Sequence, residues 1–216
     1  MQLQNITMQV LNNLKWRYAT KKFDADKKIS DDELSYLKEA IRLSPSSYGL
    51  QPYKILIVSD PEIKKQLHAL CWQQNQIVDC SHLFIFCSYK NYNDSDVDEY
   101  IELITSEQGL EYSTLEGYGT FIKGKVSEKT STDQTAWLER QTYLAVSNLI
   151  ITCAEQKIDT CPMEGFTAEE INHFFNLDSK NLTVTVMVAV GYRSEDDNSQ
   201  HRKKVRKGEK ALFDVL

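Results

Sequence analysis

Two clusters of basic side chains stand at opposite ends of this 216-residue chain. Lys15, Arg17, Lys21, Lys22, Lys27 and Lys28 lie near the start; Arg202, Lys203, Lys204, Arg206, Lys207 and Lys210 lie near the end. The chain as a whole is acidic, with 25 Lys and Arg against 31 Asp and Glu and a net charge of −6. The clusters are therefore local features, and a general affinity for nucleic acid is not expected. Brought together by folding, they would suit a phosphate group, because Arg presents a planar fork to phosphate oxygens and Lys a point charge. Solvated faces and a frayed basic tail are the competing reading.

Two further segments carry polar chemistry. Ser44-Pro45-Ser46-Ser47-Tyr48-Gly49-Leu50-Gln51-Pro52-Tyr53 sets hydroxyls, an amide and a glycine between two prolines that restrict the backbone. It is either a rigid, donor-rich loop or an ordinary helix-to-strand connection. In Cys161-Pro162-Met163-Glu164-Gly165-Phe166 the proline fixes one residue, and the glycine lets the backbone approach a flat ligand. Other groups predict less. His68, His82, His173 and His201 are dispersed, without metal-ligand spacing. Asp196-Asp197 reads as a solvated turn ahead of the basic tail. Asp94, Asp96, Asp98 and Glu99 read as an acidic cluster at a helix start, favoured by the helix dipole. Five cysteines, an odd number without a C-x-x-C, make disulfides and a zinc site unexpected.

The elements that must position these segments follow from periodicity. Ile6, Val10, Leu11 and Leu14 predict an opening amphipathic helix over 4–14. Ser30-Asp31-Asp32-Glu33 is a capping-box start for a helix that runs to about Leu43. Tyr53 to Val58 and Leu83 to Cys87 read as short strands, and Asp60-Pro61 opens a helix through Leu70. The stretch 94–128 is acidic and dotted with Gly109, Gly117, Gly119 and Gly124, so it reads as a mobile helical excursion outside the core. Residues 134–156 form the strongest helix, apolar on nearly every side between Tyr143 and Ala154. Leu182 to Val190 reads as a strand covered on both faces. Helices and strands interleave, which predicts an α+β or α/β domain over 1–216 with a C-terminal extension at 192–216. No apolar run reaches the ~20 residues of a membrane span and the start lacks a signal-peptide pattern, so a cytoplasmic protein is expected.

Arg17-Tyr18-Ala19-Thr20-Lys21-Lys22-Phe23-Asp24, Ser44 to Tyr53, Trp72 to His82, Cys161 to Phe166, Gly191-Tyr192-Arg193 and Lys204-Val205-Arg206 resemble, in that order, the motifs of the FMN-dependent nitroreductase family. The resemblance runs from about residue 10 to the C-terminus and is nearest the oxygen-insensitive NAD(P)H nitroreductase and dihydropteridine reductase branch. It implies an α+β sandwich with a central, mostly antiparallel sheet flanked by helices, in a domain-swapped homodimer with the 134–156 helix in the interface. Arg17, Lys204 and Arg206 would hold the FMN phosphate. Tyr18 and Ala19 belong to the same cofactor-binding motif, and Lys21 would lie near the N1–O2 edge of the ring. Gln73 and Gln76 would address the ring's polar edge, and Ser46, Ser47 and Gly49 would come from the other subunit. Pro162, Met163, Glu164 and Gly165 would line the ring, with Lys21, Glu164 and Gly165 nearest its reactive part. Tyr18, Ala19, Gly49 and Gln76 depart from the usual residues of the family at their positions.

The implied activity is hydride transfer from NADH or NADPH through flavin N5 to flat, electron-poor small molecules such as nitroaromatics, quinones or pteridines, by a ping-pong cycle. Tyr48, Tyr118 and Phe121 would shape the acceptor pocket without carrying the hydride step. A flavin reductase or specialised flavin dehydrogenase on the same fold is one alternative; a non-redox nucleotide-binding protein is another.

Overall fold

The structure, a computed structural model, describes residues 2–216, with side chains from residue 9 onward. Its helices are α1 (Gln2–Trp16), α2 (Asp31–Arg42), α3 (Pro61–Leu70), α4 (Gln76–Asp79), α5 (Asp94–Gln108), α6 (Glu116–Ser127), α7 (Ser131–Glu155) and α8 (Ala168–Phe174). Its strands are β1 (Tyr53–Val58), β2 (His82–Tyr89), β3 (Asp159–Met163) and β4 (Leu182–Gly191). The strands form one sheet in the order β1-β2-β4-β3, each neighbouring pair antiparallel. This is an α+β architecture with a helical layer on each face of the sheet.

Local chemistry explains the boundaries. Ser30 and Glu33 satisfy each other's backbone amides at the start of α2, with Glu33 N to Ser30 Oγ at 3.2 Å and Ser30 N to Glu33 Oε2 at 2.7 Å. At the start of α3, Asp60 accepts from Glu62 N and Ile63 N, both at 2.9 Å, while Pro61 takes the first helical position. Asn93 and Asp96 form a similar box on α5.

Strand alternation divides the core. Leu83, Ile85 and Cys87 face α3 and α8; Phe84 and Phe86 face α2 and α7. On β4 the alternation changes phase at a bulge, where Phe86 pairs with Val186 but Cys87 pairs with Val184. Val184 therefore joins Met187 and Ala189 on one face while Val186 and Val188 occupy the other. The extra residue, Thr185, is held by Ser88: its Oγ1 accepts from Ser88 N at 3.3 Å and donates to Ser88 Oγ at 3.0 Å.

Three sequence expectations change. The 94–128 stretch is helical, yet it has a core of its own: Val97, Ile101, Ile122 and Val126 are buried with Leu50, Tyr92 and Leu138. Gly119 lies against Ile101, whose Cγ1 would stand 3.2 Å from an added Cβ, so this glycine permits α5 and α6 to pack. On α1, Val10, Leu11 and Leu14 face outward while Asn13 is buried; the side chain of Ile6 lies outside the described residues. Residues 159–163, where the sequence predicts no element, form a strand. Pro162 is tolerated there because β3 is at the sheet edge. No helix among the described residues is long and apolar enough to cross a membrane.

Candidate functional site

The outer edge of β3 gathers the site. Ala19 forms an isolated bridge with Thr160, and Thr20 N donates to Thr160 O at 3.1 Å, laying the Arg17–Lys21 segment along the strand. Phe23 bridges Arg193 just beyond the end of β4. Arg193 closes this corner through the buried carboxylate of Asp159, with Nη2 to Oδ1 at 2.6 Å and backbone N to Oδ2 at 2.9 Å. Its guanidinium lies 4.2 Å from the Trp16 ring centroid and 4.6 Å from that of Tyr18.

Both basic clusters contribute to one cleft of about 340 Å³ lined by Arg17, Tyr18, Ala19 and Lys21 on one side and Ser199, Arg202, Lys203, Lys204 and Arg206 on the other. Lys204 Nζ donates to Leu14 O at 2.6 Å and also to Arg17 O, fastening the tail to the end of α1. Burial and then the charge of Arg206 lower the affinity of Arg17 for its proton; burial, Arg17 and Arg206 do the same to Lys204. Among the described residues, Arg17 Nε is the buried side-chain polar atom that lacks a hydrogen-bond partner. A buried donor in this position costs free energy unless something accepts from it, and the surrounding charge selects an anion. Lys27 stays outside the cleft, paired with Asp24 at 3.2 Å.

A second, larger cavity of about 550 Å³ adjoins the same arginine. Its walls are Leu14, Arg17, Tyr143, Val146, Ser147, Ile150, Ile151, Pro162, Met163, Glu164 and Val186. The combination is an apolar slot with an arginine at one side and a few polar groups, the usual form of a small-molecule site. Tyr143 donates its hydroxyl to Glu164. Burial and this carboxylate raise the Tyr143 pKa, so the phenol keeps its proton at neutral pH. Lys21 Nζ lies 3.9 Å from Cys161 Sγ on β3. Burial pushes the Cys161 thiol up, against the opposing pull of Lys21, Gln76 and Arg17, so it is not an activated nucleophile.

Gly165 allows a close approach at the end of this wall: a Cβ there would stand 2.8 Å from Gln74 Nε2 and 3.0 Å from the Trp72 ring. Gln74 donates to Gly165 O at 2.7 Å and to Cys71 O at 3.2 Å. The resemblance names Gln73 and Gln76; the glutamine that braces Gly165 is Gln74. Trp72 and Gln73 both adopt left-handed backbone, with φ of 52° and 54°, so the chain turns sharply just before Gln74. Gln73 is exposed, and Gln76 faces the Cys161 thiol.

The loop carrying Ser46, Ser47 and Gly49 lies elsewhere in the chain. Ser47 N donates to Gln141 Oε1 at 2.8 Å, Trp137 Nε1 donates to Ser47 Oγ at 3.2 Å, and Asn148 Nδ2 donates to Ser44 Oγ at 3.0 Å. At about 100° per residue, Trp137, Gln141 and Asn148 share one face of α7, whereas Tyr143, Val146 and Ile150 of the large cavity share roughly the opposite one. Gly49 has φ +81°, and a Cβ there would collide with the Tyr100 hydroxyl, which accounts for glycine at this position. Tyr48 meets Phe121 edge-on, with ring centroids 6.2 Å apart, on this loop's side of α7; Phe121 and Tyr118 are exposed.

Asp197 differs from its sequence expectation. It is no solvated turn residue: it is buried and accepts from Tyr18 Oη at 2.9 Å, Lys21 N at 2.8 Å, Lys22 N at 3.2 Å and Ser199 N at 2.9 Å. Asp196 alone faces water.

This fold and site define a family. The nitroreductase family model matches residues 14–192, and the chain belongs to that family. It is 31% identical over 219 residues to the major NAD(P)H-flavin oxidoreductase of Aliivibrio fischeri, an alignment spanning 98% of this chain and 99% of that one. A nitroreductase-like protein from Streptococcus mutans superposes with a TM-score of 0.86 at 20% identity, covering 97% of this chain and 99% of the other. A nitroreductase crystallised in complex with FMN, from Exiguobacterium sibiricum, gives 0.81 at 19% identity, covering 97% and 96%.

Proposed function

We propose that the chain is an FMN-dependent oxidoreductase that moves hydride from NAD(P)H to flat, electron-poor small molecules. The unpartnered, buried Arg17 Nε in a cleft shared by both basic clusters carries the reading. Supporting it are the family match and the flavin chemistry in the names of an aligned relative and a structural neighbour. FMN would supply reversible acceptance and release of hydride, alternately serving donor and acceptor.

The chain's own residues do the rest. Arg17, Lys204 and Arg206 bind the phosphate, with Tyr18 and Ala19 in the same wall. Lys21 offers a cation at the inner end of the cleft, where negative charge on the cofactor is favoured. Pro162, Met163, Glu164 and Gly165 form the flat wall, and Gly165 admits close approach of the backbone. Val146, Ile150 and Ile151 exclude water from that wall. Gln73 and Gln76 remain our candidates for the ring's polar edge, while Gln74 holds Gly165 in place.

The functional unit in this reading is a homodimer. Ser46, Ser47 and Gly49 lie on the face of α7 opposite their own chain's cavity, so they complete the site of a second copy. Val10 and Leu11 of α1, and Tyr143 and Leu144 of α7, leave an apolar surface that a second copy would cover. Leu212 and Phe213 of the exposed tail extend across the partner. Tyr48, Tyr118 and Phe121 then shape acceptor choice. We place the enzyme in the cytoplasm. The Aliivibrio relative's name favours a second reading, reduction of free flavin; comparing turnover of FMN and of a quinone separates the two. The first experiment is the visible spectrum of the purified protein: flavin bands support the proposal, and a colourless protein that takes up no FMN refutes it.

A further inference from the structure

The cleft raises a problem that its own lining does not solve. Arg17, Lys21, Arg202, Lys203, Lys204 and Arg206 converge on it, and burial first, then the neighbouring positive charges, loosen the protons of Arg17 and Lys204. Two walls from opposite ends of the chain must be held at a set separation against this repulsion before any anion arrives. Asp197 stands where that restraint is needed. Its Oδ2 takes the hydroxyl of Tyr18 and the backbone N–H groups of Lys21 and Lys22, all from the first wall. Its Oδ1 takes the N–H of Ser199, at the start of the segment that leads to Arg202, Lys204 and Arg206. None of the ion pairs among the described residues uses Asp197. Its charge is spent on ordering backbone, so the cleft's cations stay available to a ligand.

We infer that Asp197 is the positioning residue of the anion cleft: it joins the Tyr18–Lys22 wall to the Ser199–Arg206 wall and so preforms the site that recognises a phosphate monoester. The inference rests on the proposed FMN reading and deepens it by naming the group that makes phosphate recognition possible without touching phosphate. A carboxylate is required because an amide in its place offers one accepting oxygen for donors that now reach two, and it turns an N–H₂ toward some of them.

The test uses phosphate discrimination, which a general loss of stability does not alter selectively. The full-length protein is titrated with FMN and with riboflavin, which lacks the phosphate, and the ratio of the two dissociation constants is read for wild type, Asp197→Asn, Tyr18→Phe and the exposed neighbour control Asp196→Asn. Asp197→Asn should reduce the preference for FMN by about tenfold or more, the scale of losing charge-assisted contacts, while riboflavin affinity changes little. Tyr18→Phe, which removes one donor and keeps the ring, should reduce it a few-fold; it carries the test alone if Asp197→Asn does not fold. Asp196→Asn should match wild type. An unchanged preference in folded Asp197→Asn, or in Tyr18→Phe where that variant stands alone, overturns the inference and leaves the FMN reading intact. Equal loss of FMN and riboflavin binding also overturns it, since Asp197 would then support the fold in general. No preference for FMN in the wild type defeats the phosphate-cleft reading itself, and this inference with it.

Discussion

Arg193 and Asp159 lock the end of β4 to the start of β3, with a guanidinium-to-carboxylate distance of 2.6 Å and the Asp159 side chain only 3% exposed. Thr20 Oγ1 also reaches this carboxylate, at 3.4 Å, so the pair fixes the segment that leads into the anion cleft. Replacing Arg193 by Met leaves a buried carboxylate without its counter-charge and should cost about 3 kcal/mol, the low end for breaking such a pair because Arg193 is partly exposed. Urea unfolding measures this; a cost under about 0.5 kcal/mol would show that the corner is not held by the pair.

Gly165→Ala should weaken flavin retention because its Cβ meets the Gln74 amide at 2.8 Å and the Trp72 ring at 3.0 Å. The amide is the mobile end of a side chain, so the double variant Gly165→Ala/Gln74→Ala should recover part of the loss. Flavin content of the two variants after gel filtration checks this. No difference between them would mean that Gln74 does not govern the wall.

Asp197 makes stability depend on acid. Burial disfavours its charged form, but N–H donors from Lys21, Ser199 and Lys22 and the Tyr18 hydroxyl outweigh burial and bring its pKa to about 2. A folded-state value below the ordinary ~3.9 means that the ionised group contributes stability above about pH 4, and that this is lost as pH falls toward 2. The stability gap between wild type and Asp197→Asn should therefore be widest near neutrality and narrow across that window. Urea midpoints as a function of pH measure the gap; a constant gap contradicts the assignment.

Leu11→Glu and Leu144→Glu should dissociate the proposed homodimer. Both side chains are about half exposed in the single chain, at 55% and 44%, where a charge would cost within about 0.5 kcal/mol if the residue truly faced water. Sedimentation should show a folded monomer with reduced flavin content. A flavin-loaded dimer in both variants would remove these faces from the interface.

Much of this was legible because it depends on local chemistry. The Ser30–Glu33 box, the Asp60-Pro61 start and the β-branched run of β4 need no tertiary context; the two basic clusters, which charge alone leaves open between a phosphate site and solvated faces, line one cleft. Other features depend on where the chain turns. Asp197 sits beside an exposed aspartate in a polar stretch, and nothing in its neighbours distinguishes a carboxylate that four donors will surround. Gln74 reaches Gly165 only because Trp72 and Gln73 turn left-handed before it, a turn that no residue type in the segment announces. Strand β3 is short and holds a proline, a combination allowed only at an edge. In the 94–128 excursion the glycines obscured an i, i+4 pattern, Val97–Ile101 and Ile122–Val126, that builds its small core.

The central claim is that Arg17 and the C-terminal basic cluster form the phosphate site of a bound flavin. It is tested most directly by the FMN content, per chain, of purified Arg17→Ala, Arg206→Ala and Lys27→Ala. Each lost phosphate contact should cost about 1.5–3 kcal/mol, so the first two variants should emerge largely without flavin while Lys27→Ala, whose partner is Asp24, keeps the wild-type amount. Equal FMN content in all three would contradict the account.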